Sequence, residues 1–161
     1  MKGHSDNEGV RSPITCNVKM ELAIVVMESG DGERGILLNQ GVVAVFEKEL
    51  GPHHPETLRA KVNLANFTLN SGKLDMAKAL YVDIIDGFTS ISKLGPKHPK
   101  TLEMKLNLAR VEKKAQRMRE AIALSEECAA GFEEHFGPDH PKTQKAKRFE
   151  FDLKAAHSGA L

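Results

Sequence analysis

Three histidines stand in near-identical strings: "LGPHHPETL" at Leu50–Leu58, "LGPKHPKTL" at Leu94–Leu102 and "FGPDHPKTQ" at Phe136–Gln144. Histidine is the commonest metal ligand and a ready proton acceptor near neutral pH. His54, His98 and His140 are therefore the first residues to test for chemistry. Zinc needs ligands that converge on one point about 2 Å away. Histidines 44 and 42 residues apart in matching contexts belong to successive layers of a repeating structure. Layers separated by a whole helix pair cannot supply that convergence, so we read these histidines as turn residues and expect no metal.

The remaining reactive residues are no better placed. Cys16 and Cys128 lie 112 residues apart without a CxxC pattern, which reads as two reduced thiols in a cytoplasmic chain. The stretch "SGDGERG" at Ser29–Gly35 lacks the Lys-Ser/Thr of a phosphate loop and follows no strand. The pairs Glu126–Glu127 and Glu133–Glu134 read as solvated helix surface. No catalytic residue is assigned, and neither an enzymatic activity nor a cofactor is expected. A formal net charge of +1 gives no reason to invoke nucleic acid or an anionic membrane, and no apolar run reaches the length of a membrane span.

The same strings disclose the architecture that must carry any function. With a fainter "SPIT" at Ser12–Thr15, the Pro-x-Thr core falls at Pro13, Pro55, Pro99 and Pro141, in steps of 42, 44 and 42 residues. A fixed period in the range of about 20–50 residues marks a stacked-repeat fold. Only 5% of the residues are aromatic, so the core must be packed by aliphatic side chains and alanine.

One unit shows the logic. Pro55 suits the first helical position, where its missing N–H costs nothing, and Glu56 lies at the positive end of the helix dipole. Leu58, Val62, Ala65 and Leu69 then follow at helical spacing. Gly72 ends this helix. A second stripe follows in Leu74, Ala77, Leu80, Tyr81, Ile84, Ile85 and Phe88, and the Gly-Pro of the next connector ends it. Each unit is thus a helix pair, A then B. "KMELA" (19–23), "KVNLA" (61–65) and "KLNLA" (105–109) align on helix A, and Lys147 keeps the same phase. Gly35, Ala77 and Ala121 align as a small residue on helix B, as do Phe46, Phe88 and Phe132 as a plug between layers.

The connector, the Asn-Leu-Ala of helix A, the inner-turn glycine and the small residue of helix B resemble the tetratricopeptide repeat, in the long 42-residue form of kinesin light chains. The resemblance covers about Pro13 to Leu153. Gln116 departs from it at the inner turn, and Asn39, Tyr81 and Ser125 stand where helix B often carries an aromatic. It implies an all-α, right-handed superhelical solenoid of three helix pairs plus a C-terminal capping helix. The expected organisation is a disordered N-terminus over 1–11 and an array over 12–157. Its repeats fall at about 13–50, 55–93 and 99–136, its capping helix at about 141–157, and a tail over 158–161 follows.

In such arrays the A helices line a concave groove. The stripe not facing helix B presents Asn17, Met20, Glu21, Ile24 and Glu28 in the first unit, and Arg59, Val62, Asn63, Asn66 and Asn70 in the second. The third presents Glu103, Leu106, Asn107, Arg110, Lys113 and Lys114, and the last helix Lys145, Arg148 and Asp152. Residues 1–92 carry 9 basic and 12 acidic side chains, and residues 93–161 carry 14 and 10. The basic excess thus falls on the later part of the groove. Asparagine is a poor interior helix former, yet its amide both donates and accepts. The resemblance implies that Asn63 and Asn107 grip a peptide backbone. The resulting expectation is a non-enzymatic adaptor. It binds an extended, partly acidic segment of another protein through Arg59, Asn63, Asn66, Asn107, Arg110, Lys113, Lys114, Lys145 and Arg148. A structural or self-assembling repeat piece, or a sensor array of a signalling ATPase, stands as the alternative.

Overall fold

The structure is a computed structural model that describes residues 13–91 and 94–159. The expected disorder over 1–11 lies outside the described residues. Seven helices follow one another, with no strand among the described residues: α1 (Pro13–Glu28), α2 (Gly32–Leu50), α3 (Pro55–Asn70), α4 (Leu74–Ser90), α5 (Pro99–Lys114), α6 (Met118–Phe136) and α7 (Pro141–Ser158). They form two compact units, α1–α3 and α4–α7, dividing between Gly72 and Lys73.

The connector's composition is explained by three interactions that recur each time. Gly51, Gly95 and Gly137 adopt positive φ of 97°, 54° and 87°, which an L side chain would resist. The carbonyl that this conformation exposes accepts a hydrogen bond from the threonine six residues on, at 2.8 Å for Thr57, 2.9 Å for Thr101 and 2.8 Å for Thr143. The histidine between them caps the next helix. Nδ1 of His54, His98 and His140 accepts from the backbone N–H two residues later, at 3.2 Å in each case. An Nδ1 that accepts carries no proton, so the proton sits on Nε2. Proline after the histidine supplies the first helical residue. The residues with the most evident chemistry in the sequence are spent on ending one helix and starting another.

In the first unit, α1 packs on α2 and α2 on α3. α1 and α2 approach closely at Gly35, where a Cβ would meet Met27 Cγ at 2.5 Å and the Ala23 carbonyl at 3.1 Å. Phe46 is buried in this core, and burial of such a side chain contributes roughly 1.5–3 kcal/mol. Asn39 is also buried and donates from Nδ2 to the Ala60 carbonyl at 2.7 Å. Buried Lys61 reaches back to Glu47 on α2 at 2.7 Å and to the Pro52 carbonyl at 3.2 Å.

In the second unit, α5 packs on α4 and α6, and α7 on α6. Leu102, Leu106, Cys128, Ala129, Phe132 and Ala146 make one cluster, with Phe136 and Phe149 at its edge. The Cys128 thiol donates to the Leu102 carbonyl at 3.3 Å. Lys147 on α7 repeats the Lys61 contact, reaching back to Glu133 on α6 at 2.8 Å. The repeated phenylalanine is less uniform than its phase suggests: Phe46 and Phe132 are buried, while Phe88 is only half-buried.

Beneath the α5–α6 turn lies a charged cluster that the apolar pattern does not reveal. Glu112 is 2% exposed, and its carboxylate accepts from Lys78 at 2.8 Å and from Arg117. Burial alone would raise this carboxyl, but hydrogen bonds and charge from Lys78 and Arg117 outweigh it and hold it below the usual carboxylate range. The turn itself is unusual. Gly30 and Gly72 serve the earlier inner turns with positive φ, and Gln116 adopts φ 61° here despite its side chain.

Candidate functional site

The residues read from the sequence as a groove lie on A helices in both units, and each unit arranges its share separately. On α3, Arg59, Asn63 and Asn66 recur at intervals of four and three and so share one face. Arg59 is exposed but engaged: its Nη2 donates to Asn17 on α1 at 2.8 Å and pairs with Glu56 at 2.6 Å. That bridge fixes the guanidinium across two A helices. Asn63 and Asn66 are half-buried. A depression beside them is lined by Ile24, Met27, Glu28, Phe67 and Asn70.

In the second unit, Asn107 and Arg110 on α5 and Lys145 on α7 line a common depression of about 240 Å³. Leu106 and Phe132 contribute apolar lining, and Glu103 and Lys142 join the same wall and pair with each other. Arg110 Nη1 donates to the Asn107 side-chain oxygen at 2.7 Å. A guanidinium can only donate, so this contact fixes which end of the amide faces it and turns the amide NH₂ away from it. Lys113 lies with its ammonium 5.5 Å from the centroid of the Phe149 ring on α7, at cation–π distance. Lys114 and Arg148 are exposed outside the residues lining the depression.

Two residues of the expected stripe do not face solvent. Met20 is 1% and Leu106 is 6% exposed. They share a register on α1 and α5, and each helix turns that position toward its B partner. The ion cluster of Glu112 was missed altogether. Repeat phase contained the signal, because Glu112 occupies the register of Thr68, which is fully buried on α3.

Chemistry elsewhere is sparse. Both cysteines are buried and free, and burial pushes the Cys128 thiol up to about 12. Burial likewise pushes the Tyr81 hydroxyl up to about 12. Among the described residues no group of three or more His, Cys, Asp or Glu side chains is placed to hold a metal ion. No described helix is long and apolar enough to cross a membrane.

Comparison with known proteins bears on the fold. Residues 101–142 match the tetratricopeptide-repeat family model. A solved structure from Podosopora anserina, described as a kinesin light chain with nearly identical TPR-like repeats, superposes with a TM-score of 0.80 at 23% identity. It covers 92% of this chain and 70% of that one. A point variant of the same protein gives 0.81 and 23%, over 92% and 69% of the two chains. No curated protein matches. One stretch of the chain thus matches a tetratricopeptide repeat, and the described helices have the all-α repeat fold of the TPR-like structures on which they superpose.

Proposed function

We propose that the chain is a non-enzymatic adaptor that takes up an extended, partly acidic segment of a partner protein on the exposed faces of its A helices, acting in the cytoplasm. Tetratricopeptide repeats generally mediate protein–protein interaction. The observation that carries the finer reading is the depression between α5 and α7. Arg110, Lys145 and the Asn107 NH₂ left free of Arg110 offer it donors, with the largely buried Leu106 and Phe132 at its base. Such a site suits a ligand rich in acceptors, namely carboxylates and backbone carbonyls with a short apolar stem. Arg110 is already oriented by Asn107, so less freedom is lost when a carboxylate arrives. Lys113, Lys114 and Arg148 add positive charge nearby. On the first unit, Arg59, Asn63 and Asn66 provide the equivalent polar face. Nucleic acid and membrane are not among the proposed partners.

The test is affinity capture from native lysate, followed by binding kinetics at three salt concentrations with the captured protein. The Debye length falls from about 10 Å at 0.1 M salt to about 3 Å at 1 M. Arg110→Glu with Lys145→Glu should slow association and flatten its salt dependence. Asn107→Ala should instead speed dissociation and leave the salt slope alone. Variants that capture and bind like the parent protein would remove this face from consideration.

A further inference from the structure

The two ends of the helix series are finished differently, and the difference points to a second interaction surface. In the repeat register, Val18, Leu22 and Val25 of α1 correspond to Ala60, Leu64 and Phe67 of α3 and to Met104, Leu108 and Val111 of α5. Those six are buried, at 8% exposure or less. On α1 the same positions are 63%, 46% and 60% exposed. The other face of α1, with Cys16, Met20 and Ala23, is buried and α1 packs on α2. So α1 carries a complete A-helix docking face that no described residue covers.

The last helix behaves in the opposite way. On α7 the register of that docking face holds Ala146 and Leu153, both fully buried. Its uncovered register holds Gln144, Arg148 and Phe151. Phe151 stands where Ala23, Ala65 and Ala109 are fully buried. A bulky ring there would overpack any helix arriving at the usual distance. Gln144 and Arg148 make the uncovered register of α7 partly polar, whereas the exposed register of α1 is apolar throughout.

The register also says what should cover α1. Lys61 on α3 and Lys147 on α7 each pair with a glutamate 14 residues earlier, on the preceding B helix, while Lys105 in the same register on α5 pairs with Glu127 on the following one. Lys19 occupies the same register on α1. The complement is therefore an amphipathic helix with an apolar stripe and an acidic residue positioned to meet Lys19, as Glu47 of α2 meets Lys61. Residues 1–12 do not supply it, since Met1 and Val10 are their only large apolar side chains. The B helices of a second copy do not supply it either, because α2, α4 and α6 are each packed against the A helix that follows, and an α1–α1 pair would set Lys19 against no acidic counterpart of this kind. We propose that the Val18–Leu22–Val25 face of α1 binds an amphipathic, acidic-ended helix of a partner protein, at a site separate from the A-helix groove.

The probe is a labelled synthetic peptide of residues 31–51, the segment whose face covers α3, titrated with the whole chain by fluorescence anisotropy. Saturable binding is expected. It should be lost with Leu22→Glu and with Val25→Glu, both at exposed positions that leave the core intact. Lys19→Glu should weaken it at least several-fold, and a peptide carrying Glu47→Lys should restore binding to that variant. Absence of saturation, or binding indifferent to both glutamate substitutions, would overturn the proposal. Sedimentation velocity provides a second arm. A dimer dispersed by Leu22→Glu would make a second copy the occupant and overturn the partner helix.

Discussion

Replacing Glu112 by glutamine should destabilise the second unit in a manner that depends on pH. The carboxylate is 2% exposed and holds Lys78 on α4 and Arg117 at the head of α6. Removing one partner of a buried ion pair costs roughly 3–5 kcal/mol when the stranded charge stays buried. Here the stranded cations have side chains 42% and 35% exposed, so water solvates them in part. The replacement amide also fills the space and can still accept one hydrogen bond. The expected loss for Glu112→Gln at neutral pH is therefore about 2 kcal/mol, or a melting temperature lower by roughly 4–8 °C for a chain of this size. The pH dependence follows from the depressed carboxyl. A group with a lowered folded-state pKa contributes stability that is fully present above its unfolded value, and loses it as pH falls through the folded value. The gap between parent and variant should hold steady from neutral pH down to the ordinary carboxylate range and close below it. Urea denaturation followed by circular dichroism at stepped pH measures the gap. A variant within about 0.5 kcal/mol of the parent at pH 7, or a gap that persists unchanged in acid, would refute the reasoning.

Other outcomes follow from single contacts. Gln116→Gly should raise stability by about 0.5–1 kcal/mol, because relief of left-handed strain exceeds the added freedom of the unfolded chain; thermal melts decide the sign. Gly35→Ala should lower stability by roughly 1–3 kcal/mol through overpacking, since Met27 can turn aside but the Ala23 carbonyl cannot. Phe132→Ala should cost roughly 3–5 kcal/mol, and Phe88→Ala clearly less, when both are compared in urea. Cys128 should resist iodoacetamide at about pH 8 in the folded protein and label only as the chain opens, because its thiol is buried and pushed up to about 12; mass spectrometry of the labelled chain follows this directly.

Much of the fold was legible because its determinants are local and repeated. A Gly-Pro-x-His-Pro-x-Thr string contains the left-handed residue, the cap, the helix start and the hydroxyl that satisfies the glycine carbonyl, all within seven positions. Spacing of three and four residues then marks the apolar face of each helix. The candidate groove was legible only in part. Repeat phase placed Asn107, Arg110 and Lys145 within reach of one another, but it also promised exposure for Met20 and Leu106. Periodicity identifies a face without saying how far round the helix a neighbour reaches.

From the residues alone came the period, the helix pairs, their order and the architectural duty of the histidines, since each depends on neighbours a few positions away. Tertiary structure decided what depends on distant parts of the chain. It made Glu112 a buried anion, because only packing brings Lys78 and Arg117 around it. It set Arg59 against Asn17 across 42 residues. It also separated two helices written in the same register, covering one face of α3 and leaving the matching face of α1 in water, because burial is conferred by whatever lies alongside a helix and not by the helix's own sequence.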